Sequence, residues 1–267
     1  DGVAMVKFLY WLTHNVGKEP MTEYSIAEKL ESFRAEQKDF VGISFDSIVG
    51  FKGNGAIIHY KAPKEGSAKV TKNNSILIDS GGQYLEGTTD ITRTLPLGEV
   101  SEDFKRDYTL VLKGHIQLSM AKFPRGTRGI QLDTLARLAL WREGKDYNHG
   151  TGHGVGSFMN VHEGPQNIRK DLNPQELIPG MVLSNKYGIR IENLVAVKNW
   201  KTTEWNEFYD FETLTVCPIS TVPVIKELMT EEEIQWLNDY HDFCDEKISS
   251  HLDGEVKKWF KEMVRKI

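Results

Sequence analysis

Cysteine is nearly absent from this chain: Cys217 and Cys244 are the only two among 267 residues. A disulfide framework is thereby excluded, and a reducing compartment, the cytoplasm, is favoured. Basic charge is not in excess either. The net charge of −5 leaves no electrostatic footprint for a nucleic-acid partner. No apolar run approaches the roughly 20 residues that span a bilayer, so no membrane partner is expected. Proline- or serine-rich linkers are missing, and the chain therefore reads as one domain, residues 1–220, with a helical extension, residues 221–267. A signal-peptide pattern and an initiator Met are also missing. The first twelve residues already have helical periodicity, as expected of a segment of a longer polypeptide. What is present is 27% charged and 39% hydrophobic residues, enough for a soluble globular fold with a large core.

Helices are expected over Val3–Asn15, from the caps at Thr22–Ser25 to about Lys38, over Ser101–Lys122, and over Ile130–Glu143 with a stop near Gly144. A capping box at Thr230–Glu233 opens another through Ser249, and a last one spans Gly254–Lys266. Strands are expected at Val41–Val49, Gly55–Tyr60, Ile76–Asp79, Thr88–Thr94, Met181–Asn185, Ile189–Lys198 and Phe211–Pro218. The order helix, helix, strands thus occurs twice. It predicts an α+β fold, a curved antiparallel sheet covered by two pairs of helices with a pseudo-twofold duplication.

Three segments carry chemistry. In the first, Asp79 and Asp90 flank a Gly-rich connection whose centre is expected between Tyr84 and Leu85. That register places the two carboxylates opposite each other, which is unfavourable unless a cation lies between them. Hard carboxylate oxygens suit Mn²⁺, Mg²⁺, Zn²⁺ or Co²⁺. The second is the stretch from His149 to Gly156, which alternates Gly with other residues and carries a second histidine, His153; His162 follows. So many glycines argue for an irregular loop over Asn148–Gly164 that can approach a ligand closely. The three imidazoles suit metal binding and proton transfer better than three unrelated surface histidines. In the third, alternation places Arg190 and Glu192 on one strand face, where a buried carboxylate needs a metal or an arginine. His59 closes an apolar segment at Gly55–Tyr60; backbone bonding at a strand end explains it as well as function does.

In order, these segments read Gly-Ala-Ile-Ile-His-Tyr, Asp-Ser-Gly followed by Gly-Thr-Thr-Asp-Ile-Thr-Arg-Thr, His-Gly-Thr-Gly-His-Gly-Val-Gly with Asn-Val-His-Glu-Gly-Pro, and Gly-Ile-Arg-Ile-Glu-Asn. The series resembles the pita-bread metallopeptidases, most closely the catalytic domain of aminopeptidase P, the Xaa-Pro aminopeptidases. The likeness extends to the tail, at Phe211–Thr215 and Trp236–His241. The resemblance implies that Asp79, Asp90, His153 and Glu192 are four of five ligands to two divalent metal ions, Mn²⁺ foremost, with Zn²⁺ or Co²⁺ as alternatives. It implies that His59, His149 and His162 bind substrate, shuttle protons and steady the tetrahedral intermediate, and that Arg190 orients an acidic ligand. The implied substrates are peptides with proline at position two. A cytoplasmic homodimer formed through the C-terminal extension is the further expectation.

The chain departs from the family at Asn185-Lys186. A Glu-Pro-Gly segment, with the fifth ligand, would follow such an asparagine; here Lys186 follows directly. Either the segment is deleted, or Asn185 and Lys186 are joined across unobserved residues; the second reading is preferred. Prolidase and methionine aminopeptidase would use the same metal set. A non-catalytic protein-binding module of this fold would have lost several ligands, whereas this chain keeps four and all three accessory histidines.

Overall fold

The computed structural model describes residues 1–158, 160–185 and 189–267. Helix α1 (Gly2–Asn15) packs on α2 (Glu23–Ala35), and α3 (Glu102–Ser119) on α4 (Gly129–Trp141). The capping residues explain where these helices start. The Thr22 hydroxyl accepts from Ser25 N at 3.1 Å, and the Ser25 hydroxyl accepts from Thr22 N at 2.9 Å. Gly144, at φ +68°, follows the end of α4. Each helix pair covers one four-stranded antiparallel sheet. In the first, strand Ser75–Tyr84 is paired by Phe40–Phe51 on one side and by Gly87–Thr88 and Ile91–Pro96 on the other. In the second, the order is Val182–Asn185, Asn193–Thr202, Glu207–Thr213, Phe123–Pro124.

The sheets meet edge to edge at the backbone bridge Thr92–Glu192, and the histidine loop joins the second sheet at the bridge Gly154–Leu183. The predicted duplication is therefore present, and its seam runs between Asp90 and Glu192. Each half has its own apolar core. One gathers Leu9, Ile26, Ile76 and Ile78; the other Leu112, Ile116, Leu183 and Val195. Each such fully buried side chain contributes roughly 1.5–3 kcal/mol.

Helices α5 (Glu231–Ile248) and α6 (Gly254–Met263) form the C-terminal extension. Leu237, Tyr240, Cys244 and Phe260 join the second core, so the extension is built into the second half. Glu233 completes the Thr230 capping box and also binds Lys113 of α3 at 2.6 Å. Both cysteines are buried and free. Among the described residues no helix is long and apolar enough to cross a membrane.

Four sequence expectations are corrected. Gly55–Tyr60 is not a strand: Lys52–Ala56 forms a 3-10 turn, and His59 sits at φ +56°. The cause is remote. The buried Glu23 carboxylate accepts from Phe51 N at 2.6 Å, Asn54 Nδ2 at 3.0 Å and the Tyr60 hydroxyl at 2.7 Å, folding the segment back on itself. The hairpin turns at Leu85-Glu86, with Tyr84 opposite Gly87, so Asp79 faces Thr92 and Asp90 lies diagonally from it. The strand expected at Ile189–Lys198 is Asn193–Thr202, and that at Phe211–Pro218 is Glu207–Thr213. Residues 211–213 still pair with Val195–Val197, but beyond them Thr215, Cys217 and Pro218 turn their carbonyls to Tyr240 and Arg93 and leave the ladder. The Asn185-Lys186 junction lies outside the described residues.

Two histidines are buried, His115 on α3 and His241 on α5 of the extension. Burial lowers the His115 pKa to about 3, with the nearby Arg93 charge adding to the effect. Burial lowers that of His241 to about 4. Both are depressed below the unfolded value of about 6.5. Below that pH the unfolded chain takes up protons that the folded chain refuses, so stability present above pH 6.5 is lost as pH falls. Each site costs about 1.4 kcal/mol per pH unit. Urea unfolding should therefore show roughly 4 kcal/mol less stability at pH 5 than at pH 7 from these two sites, and His115→Gln should flatten that slope. An unchanged slope in the variant would refute the assignment.

Candidate metal centre

The seam between the sheets brings three of the expected ligands together. Donor atoms of Asp90, His153 and Glu192 all lie within 4.8 Å of one another. Asp90 leaves the first sheet where the ladder is interrupted between Gly87–Thr88 and Ile91–Pro96. Glu192 enters just before Asn193–Thr202, its backbone N donating to Thr92 O at 3.0 Å. The neighbouring Thr92 hydroxyl donates to Glu192 Oε2 at 2.6 Å. His153 is held between two glycines that have no room for a side chain. A Cβ on Gly152 would lie 2.0 Å from Ser184 O, and one on Gly154 2.0 Å from Glu163 O. The Gly-His-Gly order is thus what lets this loop lie against the second sheet.

Asp79 stands apart from this trio. It is fully buried and lies 3.8 Å from Arg190 Nη1. Arg190 Nη2 also donates to Gly55 O at 3.2 Å, anchoring the loop that carries His59. Asp79 and Asp90 line one compartment of about 310 Å³, together with Phe45, Ile48 and Val161. A second, of about 460 Å³, contains His149, His153, Arg169 and Arg190. His59 and His162 line both and form the wall between them. The His162 ring stands edge-on to His153 at 4.0 Å and lies 6.4 Å from His59. His149 and His153 are half-buried, while His59 and His162 are exposed.

The donor set fits a divalent cation. Two carboxylates and an imidazole converge, and Asp90 Oδ1 is buried without a hydrogen-bond donor among the described residues. His153 Nε2 lies 3.2 Å from Asp90 Oδ2. Burial by itself lowers the His153 pKa, but the hydrogen bond and charge of Asp90, with the charge of Glu192, outweigh it and raise the net value. A cation would take the place of that proton.

Several supporting residues left only a weak local signal. Arg137 is buried and donates to Asp133 Oδ2 at 2.7 Å, Asp146 Oδ1 at 2.8 Å, Tyr147 O at 2.6 Å and His149 O at 2.8 Å. It thereby fixes the start of the histidine loop. The Thr151 hydroxyl donates to Asp133 Oδ1 at 2.5 Å, fixing the middle. An Asp and an Arg four apart on a predicted helix were the available clue.

Residues 1–203 match metallopeptidase family M24, and residues 207–267 match the C-terminal region of peptidase M24. Xaa-Pro aminopeptidase 1 of Dictyostelium discoideum is 46% identical over 285 positions, covering 99% of this chain and 45% of that protein. Since those 285 positions exceed the 267 residues here, at least 18 of them have no counterpart in this chain. The crystal structure of a Caenorhabditis elegans X-prolyl aminopeptidase, described as a cytosolic enzyme with a di-nuclear active site, superposes with a TM-score of 0.94. It is 40% identical and covers all of this chain and 46% of its own. An X-Pro aminopeptidase from Thermotoga maritima superposes with a TM-score of 0.65 at 29% identity, over 82% of this chain and 60% of that one. The chain spans less than half the length of the curated relatives it matches. Its sequence, its two-half antiparallel fold and its seam of carboxylates and histidine agree: the chain belongs to metallopeptidase family M24.

Proposed function

We propose that this chain is the catalytic module of a Xaa-Pro aminopeptidase, holding two divalent ions and releasing the N-terminal residue from peptides with proline at position two. The observation that carries the reading is the convergence of Asp90, His153 and Glu192 at the seam, with Asp79 in the compartment beside them. These four residues would hold the ions, Mn²⁺ foremost. The ions would supply activation of water near neutral pH and Lewis acidity toward the scissile carbonyl. Arg190 would orient Asp79 from 3.8 Å. Thr92 fixes the rotamer of Glu192 through its 2.6 Å bond. His149 or His162 would present an N–H to the developing oxyanion. A prolyl nitrogen has no hydrogen to recognise, so selectivity must come from shape. His59 and His162, standing between the two compartments, would form that wall.

A fifth ligand would come from the Glu-Pro-Gly segment expected after Asn185. The catalytic unit would span residues 1–220, with residues 221–267 as the extension through which two copies pair. A cytoplasmic location is in keeping with the two free, buried cysteines and with the C. elegans enzyme. The test is a titration of the full-length protein with Mn²⁺, Zn²⁺ and Co²⁺, followed by assays on Xaa-Pro-Xaa tripeptides and Xaa-Pro dipeptides. Metal-dependent cleavage of the tripeptides is expected. Dipeptide cleavage alone would make it a prolidase, and failure to bind any of the three metals would overturn the proposal.

A further inference from the structure

Arg93 is buried to 1% exposure, yet among the described residues no carboxylate pairs with it. Its donors meet neutral acceptors throughout. Nε donates to Pro218 O at 2.9 Å. Nη1 donates to Thr92 O at 2.9 Å and to the backbone oxygen of Glu192 at 2.7 Å. Nη2 reaches Asn193 Oδ1 at 2.8 Å, Cys217 O at 2.6 Å and the Tyr240 hydroxyl at 3.0 Å. Burying a full charge among neutral groups is unfavourable for stability alone. The arrangement is better explained by what it holds.

It holds Glu192. Thr92 and Arg93 are consecutive on a strand, so their side chains leave opposite faces. Thr92 takes the backbone N–H and the carboxylate of Glu192; Arg93 takes its carbonyl and the side chain of Asn193. The far side of the guanidinium is closed by the extension. Tyr240 of α5 accepts from Arg93 and donates to Cys217 O at 2.7 Å. Its ring stacks on Trp236 at 5.3 Å and 9°, and Trp236 lies edge-on to His115, whose Nε2 is 3.3 Å from Asn193 Nδ2. Residues from the first half, the second half and the extension therefore converge on the backbone of one ligand.

We infer that Arg93 and Tyr240 are positioning residues for Glu192, so that the C-terminal extension tunes metal affinity from behind the site. This rests on the proposed metal centre. The experiment measures Mn²⁺ affinity by calorimetry, and urea unfolding of the metal-free protein, for the full-length wild type, Tyr240→Phe, Arg93→Lys and Glu192→Gln. Tyr240→Phe keeps the ring and removes only the hydroxyl. It is expected to weaken Mn²⁺ binding by about 10-fold, and Arg93→Lys by about 10- to 100-fold, the range for outer-shell partners of metal ligands. The metal-free unfolding midpoint of Tyr240→Phe should stay close to wild type. Wild-type affinity in both variants, with or without a lowered midpoint, would reduce the array to ordinary packing and overturn the inference. If Arg93→Lys does not fold, Tyr240→Phe decides. If Glu192→Gln itself binds Mn²⁺ as wild type does, the metal centre is what fails.

Discussion

Alanine at position 153 is expected to strip the protein of metal and abolish turnover. Asp90 and Glu192 converge with the His153 imidazole, and Asp90 Oδ2 lies 3.2 Å from its Nε2. Without the imidazole, the two buried carboxylates are left with one ligand atom fewer for an ion. Outer-shell changes alone cost about 10- to 100-fold in affinity, so removing a ligand should cost at least about 100-fold. His162→Ala is the control. Its ring is exposed and stands edge-on to His153, on the wall between the two compartments. The variant should keep its metal and lose about 10²- to 10⁴-fold in turnover, as expected for a residue that moves a proton or steadies an oxyanion. Elemental analysis and steady-state kinetics on the two proteins separate the roles. Full metal content in His153→Ala, or full activity in His162→Ala, would remove the role assigned to it.

The second large effect is on stability. Asp133→Ala should lower the unfolding free energy by about 3–5 kcal/mol, because it removes one partner of a buried ion pair. Arg137 stays behind at 1% exposure, its guanidinium 3.7 Å above the Tyr147 ring, and the Thr151 hydroxyl loses its acceptor. Asp146 remains as a counter-charge, but its side chain is 33% exposed, so it compensates only in part. The double variant Asp133→Ala with Arg137→Met should recover some of the loss, since it leaves no orphaned charge. Urea unfolding of the single and double variants measures this. A loss below about 1 kcal/mol in the single variant would mean that the pair behaves as a surface ion pair.

The sequence made the helices legible, and also the three residues Asp90, His153 and Glu192 that converge at the seam, and left most of their support out of view. Thr22, Thr230 and Gly144 mark helix ends because capping is a local interaction within three or four residues. Asp79, Asp90 and Glu192 stand out as carboxylates in or beside apolar, β-prone runs, and His153 as an imidazole between two glycines of a tight loop. The hairpin centre falls one residue later than expected, which moves the pairing by two, from Asp79–Asp90 to Asp79–Thr92, and a two-residue shift leaves every side chain on the same face, so the strand pattern does not reveal it. Gly55–Tyr60 looked extended because its apolar run is real; what folds it is Glu23, 28 residues from Phe51. Arg93 and Tyr240 are 147 residues apart, and Thr92 and Glu192 are 100 apart. Contacts at that separation leave no periodicity to read.

The seam has one more consequence. Asp90 lies beside the first sheet, His153 on the loop of the second half and Glu192 just before a strand of the second sheet, and each half has its own core. An ion shared among them would act as a rivet driven through a joint, adding to the backbone bridge at Thr92–Glu192 and to the Thr92 and Arg93 hydrogen bonds that cross it. Free metal at 100 times its dissociation constant adds about 2.7 kcal/mol to the folded state, and here that gain falls on the joint itself. The supply of metal would then govern whether the two halves melt together or in turn, so that the same ion that arms the site also decides how far the molecule behaves as one body.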